Sequence, residues 1–493
     1  MISGRVSGQS KNLLCIQTIF LYNIQHRIIR TKQQIQTWKE RDFMDTLIKS
    51  INKDFQELCR TLNVPSGRLA REYEDLNHDL LNRRCIAKGK VLPIFVKPFF
   101  VTSTQVESFQ SAVDTILTCQ EKVINLYFSD RRYRHLFELT ENEIPLVAIP
   151  HRLKRHIYFS RLDAIMTPTS FRFLEFNCDS PGGAYYTDIQ TELLLNFSVL
   201  RELAKKYRFR IKPYRPVVLK TLLQAWTEFG GTDKPHIAVV GNPDVANVEE
   251  FRLFAEYFSD QGYPSLFTDP WSLDYDGKTL TSNGKKIDLI YRRGVLADYS
   301  RVPERAKAVV QAYRDGNVCF ANPLSSKLGD NKNLLSVLTD EQTSFLFSLK
   351  EQKILRQHLP WTRMLREGRT IYNGAEIDLV PYISRHKDNF VIKPNSEFGG
   401  KGVVIGPEAS EKDWQNVINE SLHDPKVVQE YVPIPTEEFP VFNDNVSFAA
   451  KKINVNFLTY AGQYGGGFCR VSDSSVINIS AGGALVVLFV VES

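Results

Sequence analysis

The chain has 493 residues, 43% of them hydrophobic and 24% charged, with 31 Phe and 20 Tyr; that is room for roughly three units of about 150 residues and too much apolar surface for a disordered chain. The formal charge of +6 is no nucleic-acid signature, because residues 1–43 hold seven Lys/Arg against two acids and the rest is nearly neutral, whereas a nucleic-acid enzyme spreads a basic stripe over a folded face. Seven widely spaced cysteines with no CxxC exclude a disulfide framework or a zinc site and fit the reduced thiols of a cytoplasmic protein, and no apolar run is long enough to cross a bilayer.

Residues 1–43 read as a poorly ordered basic extension. The run Leu13–Tyr22 is apolar but short and lacks a small-residue cleavage site, a weak signal for a targeting peptide. Residues 44–210 read as a helical region followed by a hairpin. Val106, Phe109, Val113, Ile116 and Leu117 recur at helical spacing behind a possible cap at Ser103. Two strands then flank Thr167-Pro168-Thr169. Strict alternation along the second puts Phe173, Glu175 and Asn177 on one face.

Residues 211–330 change character. The runs at 236–241, 264–268 and 287–293 read as strands, with a helix over Asn247–Gln261 between the first two and tight turns at Asp276-Gly277 and Asn283-Gly284. Strand, helix, strand is the βαβ signature of an open α/β layer. Residues 331–493 alternate again: FVIKP (390–394) opens a glycine-rich loop that returns through GVVIG (402–406), KVVQEYVP (426–433) is another strand, and 449–483 holds long strands joined by GQYGGG (462–467).

Several residues have chemical potential. Arg161 and Asp163 share one strand face, as do Glu175 and Asn177. If the strands pair, one patch carries two carboxylates, an amide oxygen and a guanidinium. Such hard oxygen donors suit magnesium, which takes one or two carboxylates plus substrate phosphates, and the arginine suits a phosphate or carboxylate. A lone E-x-N is more often a surface hairpin, but the apolar neighbours in FLEFN argue against an exposed face. In KPNSEFGGKG, Gly399, Gly400 and Gly402 let backbone amides approach an anion, with Lys393 and Lys401 as point charges. The loop has neither the Walker nor the Rossmann pattern. Lys332 opens a helix and could reach nucleotide phosphates, Arg470 after a triple glycine on a strand could stabilise charge during phosphoryl transfer, and the strand breaking at Gln429, Glu430 and Tyr431 could form a hinge whose backbone reads adenine; taken alone, these read as a surface lysine, a β-bulge with an exposed arginine and a strand end.

Together these pieces resemble the ATP-grasp superfamily, and within it the circularly permuted branch that includes glutathionylspermidine synthases. The resemblance rests on RLD (161–163) followed by LEFN (174–177), NKNLL (331–335), IKPNSEFGGKG (392–402), QEY (429–431) and GFCRV (467–471), in that order. It spans roughly residues 140–485 and covers a synthetase domain only, with no recognisable amidase domain. The exit NCDSPGG differs from the Asp-Thr-Pro-Thr style of those synthases, and the chain ends soon after the AGG of 481–483, so neither glutathione nor spermidine carries over.

The resemblance implies a mixed α+β and α/β architecture: a circularly permuted ATP-grasp fold with a Rossmann-like, pre-ATP-grasp βαβ domain over 211–330 and an N-terminal helical region. The metal hairpin then falls in 44–210 and the nucleotide-binding and lid region in 331–493. It implies ATP and magnesium as cofactors. Asp163, Glu175 and Asn177 would hold the metal; Lys332, Lys393, Gly399, Gly400 and Lys401 the phosphates; Gln429, Glu430 and Tyr431 the base. Arg161 and Arg470 would be catalytic. The implied reaction joins a small-molecule carboxylate and an amine through an acyl phosphate, with no nucleic-acid or membrane partner. A phosphotransferase using the same site and a non-catalytic ATP-binding protein are the alternatives.

Overall fold

The computed structural model describes residues 46–492 except 168, 169, 398, 425, 480 and 481; the basic extension expected over residues 1–43 lies outside the described residues. The chain divides into two units, Met1–Gln56 and Glu57–Ser493. The described part of the first, residues 46–56, is helical. Everything below belongs to the second.

Its first long strand is β1 (Phe99–Thr102), which runs into helix α1 (Ser103–Ser129). The cap is Thr102 and not Ser103: the Gln105 N–H donates to the Thr102 hydroxyl at 3.2 Å and the Thr102 N–H donates to Gln105 Oε1 at 2.9 Å, a reciprocal capping box. Phe109, Val113, Ile116 and Leu117 are buried, as the periodicity requires. Phe109 meets the rings of Phe171 and Phe457 at 5.1 and 4.9 Å between centroids.

Strands β2 (Phe159–Met166) and β3 (Phe171–Asn177) pair antiparallel, with Arg161 opposite Asn177 and Asp163 opposite Glu175. The alternation expected along β3 breaks at a bulge. Asp163 faces Glu175 but Ala164 faces Phe173, so Leu174 is an extra residue. Phe173 therefore turns into the core with Phe171 and Phe176 and does not share the face of Glu175 and Asn177. Leu174 and Glu175, although adjacent, both line the cleft described below.

The α/β layer follows: β4 (Ile237–Val240), α2 (Val248–Asp260), β5 (Ser265–Thr268), β6 (Leu289–Arg292) and β7 (Cys319–Ala321). The four strands are parallel, in the order β7-β6-β4-β5. Every residue of β4 and β6 is buried, as in a sheet covered on both faces. Ile287, expected to open the strand of 287–293, instead ends Lys285–Ile287, which joins a separate three-stranded antiparallel sheet.

A third sheet holds β8 (Thr362–Met364), β9 (Phe390–Pro394), β10 (Val404–Ile405) and β11 (Lys426–Glu430), antiparallel in the order β8-β11-β9-β10. It has its own core around Phe390, Ile392, Trp414 and Val428.

The last strands, β12 (Thr436–Phe442), β13 (Val446–Tyr460), β14 (Gln463–Ser472) and β15 (Ala484–Glu492), complete the sheet that β1–β3 began. Its order is β1-β15-β14-β13-β2-β3, with β12 on the first half of β13. GQYGGG is not the connection expected. The turn is Ala461-Gly462, and the following residues belong to β14. The glycines answer to close packing: a Cβ on Gly465 would lie 2.1 Å from the Tyr460 ring, and the Tyr214 hydroxyl donates to the Gly467 carbonyl at 2.7 Å. Among the described residues no helix is long and apolar enough to cross a membrane, and the six described cysteines are free and buried.

Candidate active site

The large sheet, the α/β layer and the third sheet converge on one cleft of about 870 Å³. At its centre the β2–β3 hairpin presents Arg161, Asp163, Glu175 and Asn177, and β14 adds Arg470 two strands away. Arg161 grips Asp163 through two guanidinium nitrogens, at 2.7 and 3.2 Å, and Arg470 Nη1 approaches the same carboxylate at 3.4 Å. Asn177 donates its amide hydrogen to the Arg161 carbonyl at 3.4 Å.

The lysines close the arrangement from the third sheet and the 331–335 segment. Lys332 Nζ lies 3.9 Å from Glu175 and donates to the Glu397 carbonyl at 2.9 Å. Lys393 Nζ donates to Gln429 Oε1 at 2.7 Å and to the Leu174 carbonyl, freed by the bulge, at 3.2 Å. Glu175 keeps 34% of its side chain open. Burial alone would raise its pKa, but Lys332, Lys393 and Arg161 together hold it at about 2. Burial lowers Lys393 to about 8 against the pull of Glu175. Burial, reinforced by Arg161, also lowers Arg470, to about 10.

Four cations thus face two carboxylates, a surplus that suits a polyphosphate and an anionic substrate. Two carboxylates and an amide oxygen are a hard-donor set that fits magnesium, provided phosphates supply the remaining ligands. Among the described residues no three His, Cys, Asp or Glu side chains gather to hold a metal on protein ligands alone.

The other expected residues divide. Gly399 and Gly400 line the cleft. Gly400 sits at φ 75°, where a Cβ would lie 2.1 Å from Val476, and the Asn478 amide donates to the Gly399 carbonyl at 2.7 Å. The glycine-rich loop is therefore docked on the segment between β14 and β15. Lys401 is outside this group, 78% exposed and paired with Glu397 at 3.5 Å. Glu430 and Tyr431 line the cleft, but their N–H groups are taken by the Trp361 and Asn389 carbonyls at 2.8 and 2.7 Å. Gln429 is buried, and its Nε2 donates to the Thr362 hydroxyl at 3.1 Å and the Leu174 carbonyl at 3.3 Å. Gln429 also lines the cleft, and its side-chain oxygen is engaged by Lys393.

Sequence reasoning missed the supports of the NCDSPGG turn. Arg292 and Arg293, consecutive at the end of β6, form buried ion pairs with Asp179 at 2.6 Å and Glu250 at 3.2 Å. Glu250 Oε1 in turn accepts the N–H groups of Gly183 and Tyr185 at 2.9 and 3.1 Å. Asp330 accepts those of Cys178 and Asp179 at 2.9 and 3.2 Å. Two charges ending an apolar strand were the only sequence signal.

A family model described as a circularly permuted ATPgrasp matches residues 141–432. A Frankia alni protein named "Putative glutamate--cysteine ligase 2-3" is 26% identical over 300 residues, 59% of this chain and 32% of that protein. An uncharacterized protein of Mycobacterium leprae is 27% identical over 350 residues, 66% of this chain and 58% of that one. This chain thus spans about a third to three-fifths of the length of these relatives. A glutathione synthetase-like effector of Globodera pallida, solved in its apo form, superposes with a TM-score of 0.57 at 10% identity, covering 85% of this chain and 96% of the effector. That likeness concerns the fold alone. The family match takes in the β2–β3 hairpin, Lys332, the glycine-rich loop and β11 and covers well over half of the chain, so the chain belongs to the circularly permuted ATP-grasp family.

Proposed function

We propose that the protein is an ATP- and magnesium-dependent ligase that joins a carboxylate to an amine through an acyl phosphate. The observation that carries this reading is the crossing of Asp163 and Glu175 by Arg161, Arg470 and Lys393 inside one cleft, with Lys332 Nζ 3.9 Å from Glu175. The name carried by the Frankia alni relative belongs to the same reaction class.

Asp163, Glu175 and Asn177 would hold magnesium, which when bound neutralises charge on the phosphates. Lys332 and Lys393 bind phosphate oxygens. Apolar Val391, Ile405 and Val432, which line the cleft, the first two as cross-strand partners, take the adenine ring, and the loop carrying Gly399 and Gly400 excludes water. Arg161 and Arg470 orient the substrate carboxylate and stabilise charge as a carboxylate oxygen displaces ADP from the γ-phosphorus. An amine nitrogen then attacks the acyl carbon, phosphate leaves, and the amine gives up a proton. The lining residues suffice for binding and charge stabilisation, and the reaction needs no covalent protein nucleophile.

Mass spectrometry of a reaction with ATP, magnesium and pooled amino acids, peptides and polyamines tests the proposal. A ligase yields ADP, phosphate and an amide in equal amounts. A phosphorylated substrate that persists when amines are added would favour a phosphotransferase.

A further inference from the structure

The cleft continues past the reaction centre to an end walled by the α/β layer and by a short hairpin, Ile86–Ala87 with Lys90–Val91. Lys88, Lys90 and Arg301 line this end, all three are exposed, and none has an ion-pair partner within 4 Å among the described residues. The carboxylates nearby are already engaged. Asp298 accepts from the Asn242 amide at 3.1 Å and the Val295 N–H at 3.0 Å, and Glu250 is sealed against Arg293.

The two lysines are held in place by more than chance. Lys88 and Gly89 form the hairpin tip at φ 51° and 72°, the left-handed pair that a tight two-residue hairpin turn requires. Here the Lys88 N–H donates to the Ala246 carbonyl at 2.9 Å and the Tyr186 hydroxyl to the Ile86 carbonyl at 2.8 Å. Arg84, just before the hairpin, is ion-paired to Glu249 and Glu256 of α2. The tip is thereby anchored to the α/β layer that also carries Arg301. Lys88 and Lys90 lie outside the span of the family match, residues 141–432.

We propose that this end of the cleft binds an acidic substrate, one carrying at least one carboxylate beyond the one that reacts, and that it disfavours polyamines. Unpaired cations at the mouth of a cleft attract anions and repel like charge. An acidic amino acid or peptide would pair its distal carboxylate with Lys88, Lys90 or Arg301 and lay its reacting carboxylate toward Arg161 and Arg470. A polyamine would meet these three cations, while Asp298 at this end already accepts two hydrogen bonds and lies in the field of Arg301.

This inference rests on the ligase reading, and hydroxylamine separates the two, because it captures an acyl phosphate as a hydroxamate, releasing phosphate, without the natural amine being known. The full chain is given ATP, magnesium and hydroxylamine with glutamate, aspartate, citrate and glutamyl dipeptides, beside glutamine, asparagine and spermidine-bearing carboxylates. Hydroxamate is expected from the acidic donors, with KM at least about tenfold lower than for their amide counterparts, and the triple variant Lys88→Glu, Lys90→Glu, Arg301→Glu should raise that KM at least about tenfold. Lys88→Arg should keep it. Hydroxamate from the neutral or polyamine-bearing donors at equal or lower KM, or an unchanged KM in the triple variant, overturns this inference and leaves the ligase standing. Hydroxamate from no donor overturns both.

Discussion

Lys393 and Gln429 are hydrogen-bonded to each other in the lining of the cleft, and their pairing has measurable consequences. On the proposed reading, Lys393→Met removes a charge that meets phosphate in the ground state. A charge-assisted hydrogen bond contributes about 1.5–3 kcal/mol, so ATP affinity measured by calorimetry should fall at least about tenfold, with the fold intact. Bound phosphate favours the ammonium, so Lys393 titrates higher in the complex than its value of about 8 without ATP. ATP affinity is therefore full below about pH 8 and declines as pH rises through the bound value, with a proton taken up in that range. Gln429→Glu places a carboxylate where an amide oxygen now sits 2.7 Å from Nζ. It should move the onset of that decline to higher pH, while Gln429→Leu should move it lower. An onset fixed in both variants would show that Gln429 only fills space. The lysine itself was legible from its strand-then-glycine setting. The contact of Gln429 with Lys393 was not, because a side chain that turns to a neighbour looks the same in sequence as one that faces solvent.

At the scale of elements, the sequence showed what periodicity and turn chemistry encode and hid what packing decides. The β2–β3 hairpin, the strand FVIKP and the parallel runs 236–241 and 287–293 were readable, because apolar alternation and apolar runs follow directly from which faces are buried. The bulge at Leu174 was not, since FRFLEFN alternates cleanly and the extra residue is set by its partner strand. The glycines of GQYGGG looked like a loop because glycine is rare inside strands; the Tyr460 ring packed on Gly465 lies just across the turn, and the Tyr214 ring packed on Gly466 is distant in sequence. The docking of the glycine-rich loop on the segment before β15 is testable. Gly400→Ala adds a Cβ 2.1 Å from Val476 in a left-handed conformation, which costs about 1–2 kcal/mol for the backbone alone. We expect weaker ATP binding and faster hydrogen exchange over residues 473–479. Adding Val476→Ala should restore the part due to the clash and leave the backbone part. No change in exchange would mean that the loop is not held there.

For the molecule as a whole, the permuted order brings an early hairpin beside late strands, and the α/β layer is tied to that hairpin's exit by buried charge. Arg292 makes five hydrogen bonds, to Asp179, Ser326 and the carbonyls of Gly294, Asn322 and Pro323. Arg292→Met would strand Asp179 in the interior, and breaking a buried pair costs about 3–5 kcal/mol; urea denaturation should show a loss of that size, partly recovered by adding Asp179→Asn. By contrast, deleting residues 1–43 should leave ATP affinity unchanged, because the segment carries no site motif. The central claim is that Glu175 belongs to a metal-dependent phosphoryl-transfer site, and phosphate release by Glu175→Gln beside the unaltered protein tests it most directly. The amide is nearly isosteric and should spare the fold and much of the ATP affinity, but it withdraws one of the two carboxylates available to magnesium. Turnover should fall at least about 100-fold, the scale of losing one preorganised electrostatic contact; turnover close to that of the unaltered protein would contradict the account.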